Sequence, residues 1–166
     1  TMNIYETLNT RRSIRDFELV NGAPRSLEPE LINRIISAGF TAPTNNHMRE
    51  WHFVLLNDLT KREQLIKEVI HPLNHKRTEA LINRWGLTDP DQRTCYLDAV
   101  PKQFSMLMQS GCLIMPFYLQ PGTLLKPKSL QDLNSFASIW LAIENILLAA
   151  ASEGIFGVVR IPTEAE

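Results

Sequence analysis

Glycine is scarce in this chain, at 7 of 166 residues, and none of the seven falls into a G-x-G-x-x-G spacing. A Rossmann-type phosphate loop, which needs glycine so that backbone can approach a pyrophosphate, is therefore not indicated. Cysteine is scarcer still. Cys95 and Cys112 form no C-x-x-C pair and lack histidines at ligand spacing, which argues against a disulfide framework or a zinc site. Both are expected to be small buried or half-buried thiols. His71 and His75 stand four apart, but Pro72 directly after His71 breaks a continuous helix face, so no metal is expected. No Ser-His-Asp set has recognisable local context, there is no internal repeat, and no Gly/Ser-rich linker divides the chain.

An excess of one charge is also missing. Seventeen Lys and Arg against eighteen Asp and Glu leave a formal net charge of −1 and a pI near 6.4. No basic stripe with interleaved aromatics appears, which opposes nucleic-acid binding. No basic-then-apolar leader opens the chain, and the longest apolar stretch, residues 136–151, is interrupted by Glu144 and Asn145. It reads as too short to span a bilayer comfortably, so a soluble, cytoplasmic protein without membrane partners is expected. Thr1 ahead of Met2 is read as foreign to the native sequence. With 44% hydrophobic content, 166 residues can bury a core without staples, and a single domain over residues 1–166 is expected.

What the chain does have is a cluster. Thr10-Arg11-Arg12-Ser13-Ile14-Arg15-Asp16-Phe17 sets three guanidinium groups and two hydroxyls side by side in a nearly neutral protein. Guanidinium forks match phosphate oxygens, and the Ser13 hydroxyl can add a short bond, so a phosphate monoester is the natural guest. A solvated basic turn after a short helix is the alternative. For Arg15, a surface ion pair with Asp16 or Glu18 is the alternative role.

The periodicity switches several times between helical and strand spacing, which is an α+β pattern. Ile4–Leu8 reads as a short helix. Ser26, with Pro29 just inside, opens a second helix carrying Leu31, Ile32, Ile35 and Ile36, and Gly39 ends it. Trp51–Leu56 reads as a strand, Leu59–Val69 and Pro72–Trp85 as helices, and Asp89-Pro90-Asp91 as a turn. The continuous apolar run Cys112–Leu119 is expected to be a central strand covered on both faces. Leu133–Ser152, apolar almost all round, is expected to be a helix buried on nearly every side, with a second subunit supplying part of the cover.

The second informative segment is Ala42-Pro43-Thr44-Asn45-Asn46-His47-Met48-Arg49-Glu50-Trp51-His52-Phe53. Together with Arg11-Arg12-Ser13-x-Arg15-x-Phe17, Pro101-Lys102-Gln103 and the helix ending Asn145-Ile146-Leu147-Leu148-Ala149-Ala150-Ala151 before Gly154, the chain resembles the FMN-dependent nitroreductase family. The resemblance covers nearly the whole chain through the order and spacing of its motifs. It implies a nitroreductase-like fold, with a central, mostly antiparallel sheet flanked by helices, in an intertwined homodimer that holds FMN at the subunit interface.

By that resemblance, Arg11, Arg12 and Ser13 would hold the FMN phosphate, and Arg15 would approach the N1 and C2-carbonyl side of the ring. A fixed cation there favours the reduced flavin, which carries negative charge at N1. Pro43, Thr44 and Asn45 would come from the other subunit, with His47 standing where relatives carry a flavin-contacting asparagine; a solvent-facing loop histidine is its other reading. Gln103 falls where the family often places an amide near the ribityl chain or a ring carbonyl, with Lys102 or a helix-surface polar pair as alternatives. Val159-Arg160-Ile161-Pro162 matches the segment whose backbone amides face flavin N5 and O4. Arg49-Glu50 departs from the usual Gln-Pro and leaves the substrate side of the loop open; Arg49 reads as a solvated charge, or as a contact to an acidic substrate or a nicotinamide cofactor's phosphate. Relatives continue past the position of Glu166 into a strand and often basic residues that complete the phosphate site, so either the sequence is truncated or processed there, with the C-terminal strand missing, or the chain is a minimal form with a weaker hold on FMN.

The activity implied is hydride transfer from NADH or NADPH through flavin N5 to a small electron-poor acceptor, a nitroaromatic or quinone, with no side chain acting as catalytic acid or base. A flavin-binding sensor or carrier without turnover is the alternative.

Overall fold

The computed structural model describes residues 2–162. These residues form seven helices, α1 (Ile4–Thr10), α2 (Pro29–Gly39), α3 (Leu59–Val69), α4 (His75–Arg84), α5 (Pro90–Ala99), α6 (Gln103–Gln109) and α7 (Asn134–Ser152). Four short strands accompany them, β1 (Leu19–Val20), β2 (Ala23–Pro24), β3 (Trp51–Leu55) and β4 (Ile114–Tyr118). All strand ladders are antiparallel: β1 pairs with β2, and β3 with β4. The α+β class stands. The chain divides into two compact units, one of Thr1–Ser13, Ser26–Leu56 and Ile114–Val158, the other of Ile14–Arg25, Asn57–Leu113 and Val159–Glu166.

In the first unit α7 is the spine, with α1, α2 and β4 packed against it. Asn3 starts α1 with a capping box: its side chain accepts from the Glu6 N–H while Glu6 reaches back to the Asn3 N–H. α2 begins at Pro29 behind Glu28 rather than at Ser26, and buries Ile32 and Ile35. Its last residue, Gly39, meets α7 so closely that a Cβ there would lie 2.9 Å from Ile146 Cδ1 and Cγ1 and 3.3 Å from the Ala142 carbonyl oxygen. β3 and β4 pair in the register Trp51 with Tyr118 and Phe53 with Pro116. That register puts Trp51 into a core with Ala42, Ile139 and Ala142.

Two expectations need correction here. β4 pairs with β3 alone among the described residues, and its Pro116 and Phe117 are exposed, so it is not a central strand covered on both faces. Proline has no N–H to give a second neighbour, which suits an edge. α7 is buried along one stripe only, through Ser138, Ile139, Ala142, Ile146 and Ala151, while Leu141 is 49% exposed. With the 3-10 turn Leu130–Leu133 joined to it, Leu130–Ser152 is also long and apolar enough, by length and composition, to cross a membrane. This helix nonetheless packs against α1, α2, β4 and the 3-10 turn Asn45–His47 in its own unit.

The second unit holds α3, α4, α5 and α6 with the β1–β2 hairpin. Asn21 and Gly22, at φ 52° and 80°, make the tight turn, the Asn-Gly pair that such left-handed geometry favours. Asp58 caps α3, and Asn74 caps α4 two residues beyond the start expected from Pro72. Asp89-Pro90-Asp91 is not a turn. Asp89 is the N-cap of α5, accepting from the Gln92 N–H, and Pro90 sits at its first helical position, where a missing N–H costs nothing. α6 begins at Gln103, where the sequence suggests a helix only through the alternative of a helix-surface polar pair. Cys95 is exposed, against expectation, whereas Cys112 is half-buried and its pKa is pushed up by burial, with Arg62 opposing.

Arg62, on α3, is 1% exposed. Burial pushes its pKa down, yet an arginine stays charged, so its donors must be met inside. Its Nη1 donates to the Ser110 carbonyl at 2.6 Å and lies 3.4 Å from the Leu107 carbonyl, at the end of α6 whose carbonyls lack helical partners. The cation therefore ties α3 to the C-terminus of α6.

Gly39→Ala should destabilise the chain by about 1–2 kcal/mol through overpacking against Ile146, with Ile146→Val recovering part of the loss; urea unfolding of the single and double variants measures both. Arg62→Met should cost about 1–3 kcal/mol, because it leaves the α6-terminal carbonyls buried without a donor, and the same unfolding series checks it.

Candidate functional site

The basic cluster follows directly from the end of α1, and its members meet different fates. Arg12 turns back: its Nη1 donates to the Asn9 and Arg11 carbonyls and so satisfies the end of α1. Arg11 is half-buried and lies 3.7 Å from Glu144 on α7. Ser13 pairs with Gly157 in an isolated parallel bridge, and its hydroxyl has no hydrogen-bond partner among the described residues. Residues 11–13 are thus fixed at two points of the first unit, with one hydroxyl and part of one guanidinium open. This donor set suits an oxyanion, provided that Arg11 can exchange the exposed Glu144 for it.

The loop expected to face a ring is also in the first unit. Pro43 is exposed, and Thr44 precedes a 3-10 turn, Asn45–His47. Asn45 is held from both sides by α7: its N–H donates to Ser138 Oγ at 3.1 Å, and its side-chain carbonyl accepts from Asn134 Nδ2 at 3.3 Å. His47 is exposed. Asn46, His47 and Arg49 have φ of 50°, 56° and 48°. Asparagine adopts that left-handed region readily, but histidine and arginine do so at a cost, so the loop stores backbone strain. Beneath it lies a cavity of about 20 Å³ lined by Thr44, Asn45, Trp51, Tyr118, Ser135 and Ser138. It has room for about one water. Trp51 is buried, and its Nε1 has no hydrogen-bond partner among the described residues.

The remaining candidates belong to the second unit. Arg15 is half-buried, and neither acid considered as its partner takes it: Asp16 pairs with Lys102 at 2.8 Å and Glu18 with Arg25 at 3.7 Å. Lys102 also holds Asp98 at 2.7 Å, and these two carboxylates raise its pKa. The next residue, Gln103, accepts from Arg160 Nε at 2.8 Å through its side-chain oxygen. The two are therefore bonded to each other rather than standing as separate contacts. Ile161 is 67% exposed.

Sequence reasoning missed Glu144, Asn134, Ser138, Asp98 and Asp16 as supports of these groups. Asn134 and Ser138 had a readable signal, since they are polar, four apart and sit on an otherwise apolar helix, and Asp98 with Lys102 shows the same spacing. The partners across the chain left no such trace. Among the described residues no group of three His, Cys, Asp or Glu side chains is arranged to hold a metal ion.

Comparison with known proteins gives a consistent result. The chain is 27% identical over 165 residues to iodotyrosine deiodinase of Danio rerio, a match that covers 95% of this chain and 50% of that protein. The chain thus spans half or less of the length of the curated relatives it matches. Among solved structures, oxidized iodotyrosine deiodinase bound to FMN and 3-iodo-L-tyrosine superposes with a TM-score of 0.67 at 17% identity, over 98% of this chain and 76% of that one. A nitroreductase with bound FMN from Bacteroides fragilis NCTC 9343 superposes with a TM-score of 0.55 at 23% identity, over 93% and 67% of the two chains. The Nitroreductase family model matches residues 8–160, and the chain belongs to the nitroreductase family.

Proposed function

We propose that this chain is a single FMN-binding domain of a flavin-dependent oxidoreductase. The observation that carries the reading is the oxyanion donor set at residues 11–13, anchored to Glu144 and Gly157, in a chain of this family. Those residues fit a phosphate monoester in charge and in open donors. The 20 Å³ cavity under the loop is far too small for a flavin ring, so ring contacts would use exposed loop groups rather than that cavity.

FMN, when bound, supplies the two-electron redox chemistry between NADH or NADPH and a small acceptor. The chain's own work is binding and charge placement. Arg11, Arg12 and Ser13 would hold the phosphate, with Arg12 offering only the donors left after it caps α1. Arg15, whose neighbouring acids Asp16 and Glu18 pair with Lys102 and Arg25, would put a fixed positive charge at the pyrimidine edge of the ring, where negative charge collects on reduction. Gln103, oriented by Arg160, would present its amide nitrogen, and residues 159–162 their backbone amides. Pro43, Thr44, Asn45 and His47 would serve a second copy's cofactor.

That copy is itself part of the proposal. Only 28% of the apolar window in Leu130–Ser152 is buried within the chain, and Ile4, Tyr5 and Leu8 of α1 are exposed. A homodimer would cover such apolar surface. The setting proposed is the cytoplasm, where free thiols such as Cys95 persist.

An electron-poor acceptor such as a nitroaromatic or quinone is the first substrate class. A halogenated aromatic is the second, favoured by the similarity to iodotyrosine deiodinase along nearly the whole chain. NAD(P)H oxidation with a nitroaromatic, against iodide release from iodotyrosine under reducing conditions, separates the two; retained flavin without either turnover would leave a sensor or carrier.

The visible spectrum of the purified chain, before and after FMN addition and gel filtration, should show about one flavin per subunit; no retained flavin after reconstitution would overturn the reading. Arg11→Ala should weaken FMN binding by about 1.5–3 kcal/mol in a fluorescence titration, the value of a hydrogen bond to a charged group.

A further inference from the structure

Arg15 lies in a stretch with few internal supports. Residues 14–18 precede the β1–β2 hairpin, and within the second unit β2 rests on α6. Upstream of β1, among the described residues, this stretch is tied to the helices by the ion pair between Asp16 Oδ2 and Lys102 Nζ at 2.8 Å. Asp16 is the neighbour of Arg15, and Lys102 is the neighbour of Gln103. One ammonium therefore connects the two backbone segments that carry ring-side candidates.

The ammonium is itself held. Asp98, four residues earlier at the end of α5, takes it at 2.7 Å, so the long side chain at the N-cap of α6 is fixed before it reaches Asp16. The Lys102 side chain is 30% exposed, whereas that of Asp16 is 76% exposed. Exposed pairs of this kind contribute little to global stability. Their value here is geometric: an extended segment without regular backbone bonds loses its place when a side-chain tether goes.

We propose that Lys102 is a positioning residue, clamped by Asp98 and holding Asp16 so that Arg15 is fixed relative to Gln103. The proposal rests on the flavin reading only for what Arg15 then does; the clamp can be tested without flavin.

Limited trypsin digestion of the flavin-free chain, read by mass spectrometry, compares cleavage after Arg15 with cleavage after Arg12 as the internal reference. In Lys102→Met the ratio should rise about three- to fivefold, the size an exposed charge network gives, and Lys102→Arg should return it to the wild-type value. In the FMN-loaded chain, Lys102→Met should lower the flavin midpoint potential and Lys102→Arg should restore it, a change that a merely structural loss would not produce. Equal cleavage in Lys102→Met and wild type overturns the clamp. So does a Lys102→Arg variant that behaves like Lys102→Met, or faster cleavage with an unchanged potential. A wild-type chain that binds no FMN brings down the flavin reading instead, and the cleavage ratio alone then decides whether Lys102 holds Arg15.

Discussion

The close approach of α2 to α7 at Gly39 sets the first unit. A residue with any side chain there would meet Ile146 and the Ala142 carbonyl, so the two helices can touch only because position 39 has none. The contact brings the last turn of α2 within reach of α7, and Asn145 Nδ2 donates to the Ala38 carbonyl at 3.2 Å and lies 3.3 Å from Thr41 Oγ1. Beyond Thr41 the chain enters the loop at 43–49, which Ser138 and Asn134 hold from the same helix. Glu144 meets Arg11 from that helix as well. An apolar helix carrying four spaced polar residues thus fixes three separate segments, and the polar positions matter because each satisfies a group that helix packing alone would leave open.

The second unit has a different centre, and the physics is harsher. Arg62 is a cation with almost no access to water, and it is stable there because carbonyls at the end of α6 need donors. Its presence fixes the far end of α6, and Arg160 and Lys102 act at the near end, on Gln103 and on Asp16. A short helix of seven residues has little propensity to form by itself. Held at both ends by charged side chains, it can present Gln103 in one place.

The elements that the sequence made legible were those with strong periodicity or a cap. The helix expected at Leu59–Val69 matches α3 to the residue, where Asp58 caps it, and the strand expected at Trp51–Leu56 ends one residue earlier, at Leu55. Asp89-Pro90 was misread because the same dipeptide serves a turn and a helix start, and α5 beyond it lacks a clean apolar stripe to decide between them. The Asn21-Gly22 hairpin carried its usual signal, but strands of two residues give no alternation to support it. Burial of α7 was overestimated because composition says how apolar a helix is, not how much of it one chain can cover. For the site, residue types were legible and pairings were not: nothing local links Arg11 to Glu144 or Gln103 to Arg160, positions 133 and 57 residues apart.

Three arginines in one five-residue stretch show why pairing matters more than composition. Arg12 is largely committed to carbonyls at the end of α1, which any donor of suitable reach could satisfy. Arg11 is balanced by an exposed carboxylate at 3.7 Å, a contact weak enough for an anion with better geometry to displace. Arg15 is left over because Lys102 and Arg25 have taken the nearby acids. A guanidinium with no carboxylate partner among the described residues, in a chain of net charge −1, is a product of that arrangement, since Asp16 would otherwise be its natural neighbour. The acid beside Arg15 is turned away by a lysine eighty-six residues further along the chain, and that is what keeps the arginine available.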